Sequence, residues 1–225
     1  MIEISDRARE LVWSAESALT GVFQRTDAIE MANQQRVLEA FWAERVSARH
    51  FAPTTGYGYD DIGRDTLDRV FARALSAEAA LVRPQFANGT HAIYTALASL
   101  VEPGDRILSI TGQPYDTLQT AIGLSGDASN SLKKMGVRFD AIELLPDGGI
   151  DLEAIRSADA SFVKVVFVQR SRGYAWREAL SMNKLSEAFV LCKELFPNAV
   201  ILVDSCYGEF VEALEPTACG ADLIA

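Results

Sequence analysis

The feature that most constrains this chain is a short apolar run that ends in a carboxylate. Residues 199–203 read Ala-Val-Ile-Leu-Val, and Asp204 follows them directly. A run of this length and β-branched content is typical of a parallel strand that is buried on both faces. Ligands of parallel sheets bind at the carboxyl ends of the strands, so Asp204 is predicted to lie at a binding edge. A buried carboxylate is costly unless a cation meets it, so a positively charged ligand group is expected there.

The rest of the chain alternates strands with helices, which predicts an α/β fold with a mostly parallel sheet. Strands are predicted at 79–83, 106–111, 137–144, 161–169, 200–204 and from 222 onward. Helices are predicted at 5–24, 29–48, 65–75 with Asp65 as its cap, from Thr90 to 100, from Tyr115, at 151–156 and at 181–196. We divide the chain into an N-terminal helical segment, 1–50, and an α/β domain, 51–225.

Charge and composition exclude several classes of partner. The formal net charge of the 225 residues is -10, which argues against nucleic acid and against an anionic membrane surface. Three cysteines without CxxC spacing and only two histidines make a metal site improbable and predict free thiols. No secretory signal pattern opens the chain, and the apolar runs are too short to span a bilayer, so the cytoplasm is the expected location.

Four features are predicted to meet at the carboxyl edge of the sheet. Gly89 and Thr90 begin a helix whose first amides favour an anion such as phosphate, although Thr90 could equally be an ordinary N-cap. Tyr115 follows the next strand and could lie against a planar ring or simply pack. Arg170 and Arg172 follow a further strand and suit a carboxylate or phosphate, or surface salt bridges.

Asp204 completes this set, although a carboxylate at a strand end could instead bind a metal or cap a helix. An anion cradle, an aromatic plate, cationic anchors and a buried acid together suit a flat, phosphorylated cofactor that contains a pyridine ring. The sequence therefore predicts pyridoxal 5'-phosphate as the cofactor.

Four strings of the sequence carry a more specific resemblance. The chain resembles the methionine gamma-lyase-like family of fold-type-I pyridoxal-phosphate enzymes, in the cysteine and methionine metabolism group, whose members are often called aluminium-resistance proteins. The likeness runs from about Phe51 to Ala225. The strings that carry it are Tyr57-Gly-Tyr59-Asp-Asp-Ile-Gly-Arg64, Phe86-Ala-Asn-Gly-Thr-His-Ala92, Gln169-Arg-Ser-Arg-Gly-Tyr174 and Val203-Asp-Ser-Cys-Tyr-Gly-Glu-Phe210.

The resemblance implies an aspartate aminotransferase-like large domain, with a mostly parallel sheet and helices on both faces. It implies that the amides of Gly89 and Thr90 hold the phosphate, with His91 beside them. It implies that Tyr115 stacks on the cofactor ring. Asp204 would pair with the protonated ring nitrogen and keep the ring an electron sink.

The resemblance also assigns residues outside this cluster. Tyr57, Tyr59 and Arg64 lie where related enzymes lend a phosphate-binding arm to a neighbouring subunit, which implies a homodimer or homotetramer. Arg170 and Arg172 would anchor the carboxylate of an amino-acid substrate. Neither nucleic acid nor a membrane is expected as a partner, and no metal is expected.

One departure from the family concerns lysine. Family members hold the cofactor on a Schiff-base lysine shortly after the strand that begins here at Asp222, and all five lysines of this chain precede Asp204. The C-terminal small domain of the family also has no counterpart here. The sequence is therefore expected to be the front portion of a longer enzyme and to be inactive alone, because that lysine also takes the α-proton.

The resulting prediction is a pyridoxal-phosphate-dependent carbon–sulfur lyase, of the methionine gamma-lyase or cystathionine beta-lyase type, acting on a sulfur amino acid. Another fold-type-I enzyme, of the aminotransferase or aldolase type, remains open. So does a non-catalytic assembly module that kept the fold. A nucleotide-binding oxidoreductase is disfavoured, because Gly56-Tyr-Gly58 lacks the third glycine of the dinucleotide fingerprint.

Overall fold

A parallel β-sheet forms the centre of the protein. The computed structural model describes residues 4–57 and 61–225, and within these ranges five strands pair in the order β2-β1-β3-β4-β5, all parallel. The strands are β1 (Arg106–Ser109), β2 (Arg138–Ala141), β3 (Val163–Gln169), β4 (Val200–Asp204) and β5 (Leu223–Ile224). Each lies within a predicted strand, so the α/β fold with a parallel sheet is confirmed.

Helices precede and connect these strands. They are α1 (Asp6–Ala43), α2 (Ile62–Ala74), α3 (Gly89–Leu100), α4 (Asp116–Ile122), α5 (Leu152–Ser157) and α6 (Met182–Leu195). Short 3₁₀ helices occupy Ala48–Phe51 and Pro216–Cys219. None of the helices in the described ranges is long and apolar enough to cross a membrane.

The strands carry apolar side chains on both faces, and each face packs against helices. In β3, Val165 and Phe167 belong to a buried cluster with residues of α3 and α4. Their neighbours Val166 and Val168 belong to a second cluster with residues of α5 and α6. Successive side chains of a strand point to opposite faces, so the two clusters lie on opposite sides of the sheet. The expected helices on both faces are therefore present.

The strand order creates a crevice at one edge of the sheet. Strand β1 lies between β2 and β3. The chain therefore passes from β1 to β2 on one side of β1, and then to β3 on the other side. Loops that follow the two strands at such a switch point diverge and leave space outside their carboxyl ends. Loops 110–115 and 170–181 follow these strands, and loop 205–215 follows the adjacent strand β4.

Two predictions about the helices are wrong. The predicted helices 5–24 and 29–48 form one helix of 38 residues, because the residues between them include no glycine or proline to break it. Helix α2 begins earlier than predicted, since its cap is Asp61, whose carboxylate accepts a hydrogen bond from the Arg64 amide at 3.0 Å, and not Asp65.

The predicted strand at 79–83 is also wrong. Within the described residues this segment pairs with no strand. The Val82 amide instead donates to Asp68 at 2.8 Å, and Arg83 forms an ion pair with the same carboxylate at 2.7 Å. Leu81 is exposed, so the apolar pattern of this segment does not reflect burial in a sheet.

Helix α1 is tied to the loop that follows β4. The buried Asn33 amide donates to the carbonyl oxygens of Phe210 at 2.7 Å and Glu212 at 3.1 Å. Arg36 donates to the Ala213 carbonyl at 2.7 Å and pairs with the fully buried Glu215 at 3.1 Å. The N-terminal helix therefore helps to hold the loop next to Asp204, and the division at residue 50 stays a prediction.

Candidate functional site

Asp204 ends strand β4, and its side chain is buried. The residue is 1% exposed, and its carboxylate accepts a hydrogen bond from the Cys206 amide at 3.1 Å. No lysine or arginine of the described residues forms an ion pair with it. Burial raises the pKa of Asp204, hydrogen bonds from Cys206 oppose the increase, and the charge of Glu209 adds to it. A cationic ligand group would offset this cost.

The raised pKa of Asp204 predicts a particular dependence of stability on pH. A carboxyl whose pKa is higher in the folded state binds more protons when folded, so it costs stability as pH rises above the unfolded value. We expect Asp204→Asn to stabilise the cofactor-free protein at neutral pH by about 1 kcal/mol, because it removes a buried charge and keeps an acceptor for the Cys206 amide. Urea unfolding should show this gain shrinking toward pH 4. A gain that grows on acidification would contradict the account.

The first turn of helix α3 lies against the loop that follows Asp204. A Cβ atom on Gly89 would lie 3.2 Å from the Cys206 sulfur, so the absence of a side chain permits this close approach. Asn88 caps the helix, because its side-chain oxygen accepts a hydrogen bond from the His91 amide at 2.9 Å. Thr90 is therefore not the N-cap, which leaves its hydroxyl for other contacts.

Tyr115 links helices α3 and α4 through hydroxyl groups. Its phenol donates to the Thr90 hydroxyl at 3.0 Å, and the Thr90 and Thr117 hydroxyl oxygens are 3.2 Å apart. Burial raises the pKa of Tyr115, and the charge of Asp204 is among the smaller causes of the increase. The structure thus brings together four of the predicted site residues: Gly89, Thr90, Tyr115 and Asp204.

On the prediction that this site holds pyridoxal phosphate, we expect Tyr115→Phe to weaken its binding about fivefold. The variant keeps the ring but loses the hydrogen bond to Thr90, and such a bond contributes about 1 kcal/mol. Tyr94→Phe is the matched control, because it removes a phenol that donates to the Asn130 carbonyl at 2.9 Å instead. Cofactor titrations should separate the two variants. Equal affinities for both would contradict a role for the Tyr115 hydroxyl.

Gln169 is a site residue that the sequence reasoning missed. It ends β3 beside Asp204 in the register of the sheet, is 4% exposed, and accepts a hydrogen bond from the Tyr115 amide at 2.9 Å. The sequence signal that could have indicated Gln169 is a polar residue at the end of a buried strand. Thr117 and Cys206 were missed too. Burial raises the pKa of Cys206 to about 12, so its thiol is protonated at neutral pH.

The two arginines after β3 have different surroundings. The Arg170 side chain is 3% exposed and donates to the carbonyl of Gly208 and the carboxylate of Glu212. These contacts hold Arg170 within the chain, and its contact with a substrate carboxylate stays a prediction. Arg172 is exposed, and its guanidinium carbon lies 5.1 Å from the centre of the Trp176 ring.

The predicted phosphate arm lies away from Asp204. Tyr57 is 96% exposed, and Arg64 donates to the Gly56 carbonyl at 3.2 Å. Arg64 lines a cavity of about 430 Å³ whose described lining includes neither Tyr115 nor Asp204. Tyr59 falls outside the described residues. That these residues bind the cofactor phosphate of a neighbouring subunit stays a prediction.

His91 lies close to the predicted phosphate position but makes contacts within its own turn. Its Nδ1 accepts a hydrogen bond from the Ala87 amide at 3.2 Å, and its ring meets the edge of Phe86 with centres 5.9 Å apart. The imidazole is exposed, so these contacts leave its other nitrogen open to solvent or ligand.

No lysine of the described residues lies at the carboxyl edge. Lys164 is the second residue of β3, at the amino end, while Lys184 and Lys193 are in α6. Lys133 and Lys134 follow helix α4. The described ranges also contain no group of three or more histidine, cysteine, aspartate or glutamate side chains that could hold a metal ion.

Several known proteins resemble this chain in sequence and in fold. The family model described as methionine gamma-lyase matches residues 8–225. The uncharacterized protein YnbB of Bacillus subtilis (strain 168) is 44% identical over 218 residues, which are 96% of this chain and 52% of YnbB. A crystal structure of a proposed cystathionine beta-lyase involved in aluminum resistance, from Listeria innocua, is 46% identical with a TM-score of 0.93, over 100% of this chain and 54% of that one.

A more distant structure shows the same fold. The pyridoxal-5'-phosphate dependent protein YhfS from Escherichia coli is 22% identical with a TM-score of 0.63, over 87% of this chain and 50% of YhfS. The chain spans about half the length of each of these proteins. Since the family model covers nearly all of the sequence, the chain belongs to the methionine gamma-lyase family.

Proposed function

We propose that the full-length protein is a pyridoxal-phosphate-dependent carbon–sulfur lyase that acts on a sulfur amino acid. The observation that carries the proposal is the buried Asp204 carboxylate, which meets no cation among the described residues. It lies at the sheet edge with Tyr115 and the start of α3. This is the arrangement that a cationic, flat and phosphorylated ligand would complete.

The residues at the edge fit the cofactor group by group. Asp204 would hold the protonated ring nitrogen, because the low dielectric around a buried carboxylate strengthens its attraction for a cation. Tyr115 would lie against the ring, and the amides of Gly89 and Thr90 at the start of α3 would bind the phosphate. When bound, pyridoxal phosphate supplies an electron-withdrawing ring that makes the α-proton of an amino acid acidic.

The remaining contacts keep these groups in place. Gln169 holds the backbone of Tyr115, and the Cys206 amide holds one oxygen of Asp204. Asp204 must stay ionised for the ring nitrogen to keep its proton, and the adjacent cation would lower the pKa that burial raises. The described residues thus bind and orient the cofactor. The lysine that would attach it and accept the α-proton is not among them.

Cleavage of a carbon–sulfur bond is supported by the relatives. The family model is that of methionine gamma-lyase, and the Listeria innocua relative bears the name of a cystathionine beta-lyase. Such an elimination consumes one water and releases a thiol, a 2-oxo acid and ammonia from each amino acid. The homodimer or homotetramer implied by Tyr57 and Arg64 belongs to this proposal.

Product analysis of the full-length protein tests the proposal. The purified protein with added pyridoxal phosphate is incubated with cystathionine and methionine in turn, neither of which contains a thiol, and the released thiol and 2-oxo acid are both measured. We expect equal amounts of the two products from at least one substrate. An aminotransferase would give a sulfur-containing 2-oxo acid without free thiol. That result, or binding of the cofactor without turnover, would contradict the proposal.

A further inference from the structure

The Arg170 guanidinium joins three segments that meet next to Asp204. Its Nη1 donates to the Gly208 carbonyl at 2.6 Å, its Nη2 donates to the Glu212 carboxylate at 2.8 Å, and its Nε donates to the Leu180 carbonyl at 3.4 Å. With its side chain 3% exposed, it has little contact with solvent. All three nitrogens of the guanidinium therefore have partners within the chain.

The loop that Arg170 holds is the one that begins at Asp204. The Arg170 amide donates to the Asp204 carbonyl at 3.1 Å, which continues the pairing of β3 with β4. The Cys206 amide then donates to the Asp204 side chain at 3.1 Å, and the Gly208 amide donates to the Ser205 carbonyl at 2.7 Å. The turn that fixes the Asp204 carboxylate thus ends at the carbonyl that Arg170 binds.

Packing leaves this contact little freedom. A Cβ atom on Gly208 would lie 2.8 Å from both Cδ and Nη1 of Arg170, and 3.0 Å from the Ser205 carbonyl. Residue 208 must therefore be glycine for Arg170 to lie where it does.

Glu212 fixes the other end of the loop. One of its carboxylate oxygens accepts from Arg170 and also from the Met182 amide at 2.9 Å, where helix α6 begins. A substrate carboxylate could reach Arg170 only by displacing this partner. Arg170 is the buried member of this pair, and the Glu212 side chain is 33% exposed. Loss of Glu212 would leave the buried guanidinium without this carboxylate, so the pair resists such an exchange.

We propose that Arg170 is a positioning residue, which holds the loop 205–212 and thereby the Asp204 carboxylate in the orientation that receives a cationic ring. The proposal rests on the proposed function, because it assigns Arg170 to cofactor binding and not to the substrate. It predicts that Arg170 and Glu212 act as one unit.

Arg170→Met and Glu212→Gln, alone and combined, test this in the full-length protein. We expect each to weaken pyridoxal-phosphate binding on the order of tenfold, with the KM for the amino acid changed less than about twofold. The affinity of the double variant for pyridoxal phosphate should be no more than about twofold below that of the single variant that binds it less tightly. Arg156→Met is the control, because Arg156 forms an exposed ion pair with Glu153 on helix α5, at 3.3 Å.

A different pattern would overturn the inference. If Arg170 anchors the substrate, Arg170→Met raises KM, leaves cofactor affinity unchanged, and is not reproduced by Glu212→Gln. Where Arg170→Met fails to fold, Gly208→Ala serves instead, since its methyl group would occupy the space of the Arg170 side chain.

Hydrogen exchange separates this inference from the proposed function. In the cofactor-free protein, Arg170→Met and Glu212→Gln should speed amide exchange in the loop 205–212, and Arg156→Met should not. Unchanged exchange in the first two variants overturns the inference even if the protein binds pyridoxal phosphate. If the wild-type protein binds none, the proposed function fails, and the exchange rates alone decide the role of Arg170.

Discussion

Replacing Asp204 with alanine should abolish most of the lyase activity that we propose for the full-length protein. Asp204 is the buried group that would meet the protonated ring nitrogen, and removing one member of a buried ion pair costs about 3–5 kcal/mol. We therefore expect kcat/KM to fall on the order of 10²–10⁴-fold. Steady-state assays at saturating cofactor, with circular dichroism to show that the fold is kept, measure the effect.

Asp140→Ala provides the control for this experiment. Asp140 lies in β2, its side chain is 57% exposed, and it pairs with Arg106 at 3.2 Å. Its removal costs a surface ion pair, so activity should stay within about twofold of wild type. Full activity in Asp204→Ala, or an equal loss in both variants, would rule out the ring-nitrogen role of Asp204.

Phe167→Ala should be among the most destabilising single substitutions in this chain. Phe167 is 0% exposed in the central strand β3 and packs with Leu97, Leu118 and Leu202 between the sheet and helices α3 and α4. Truncation of a buried phenylalanine leaves a cavity and costs about 3–5 kcal/mol. Denaturant unfolding should show a free energy of unfolding that is lower by this amount. The midpoint concentration should fall while the slope stays unchanged.

Phe162→Ala is the comparison for Phe167→Ala. Phe162 precedes β3 and is 67% exposed, and the guanidinium carbon of Arg138 lies 4.9 Å from the centre of its ring. We expect it to cost at most about 1 kcal/mol. Similar losses for the two variants would mean that Phe167 does not lie in the core described above.

The central strands could be predicted because their patterns leave few alternatives. Runs such as 199–203 are too short and too β-branched for a helix, and continuous burial makes them parallel strands. The segment at 79–83 is also short and mostly apolar but has a single β-branched residue, Val82. The Val82 amide donates to Asp68, and no described strand pairs with the segment. Strand formation depends on an available neighbour, which composition does not reveal.

The site was predictable in its position and less so in its details. Asp204 and Tyr115 follow from the rule that strand ends converge at one edge. Thr90 does not follow from it, because the segment before helix α3 pairs with no strand among the described residues. The orientation of Arg170 does not follow, because its partners Gly208 and Glu212 lie 38 and 42 positions further along the chain. The position of a residue just after a strand places its backbone at the sheet edge. It does not show which groups the side chain contacts.

The most direct test of contact between Asp204 and the cofactor ring is an equilibrium titration of pyridoxal phosphate into the full-length protein and into its Asp204→Asn variant. The absorbance of the cofactor reports binding. Asparagine keeps the shape of the side chain and its hydrogen bond with Cys206 but cannot pair with a cation. We expect saturable binding to the wild-type protein and an affinity for the variant that is lower on the order of 10²-fold. Equal affinities, or no saturable binding by the wild-type protein, would contradict this contact.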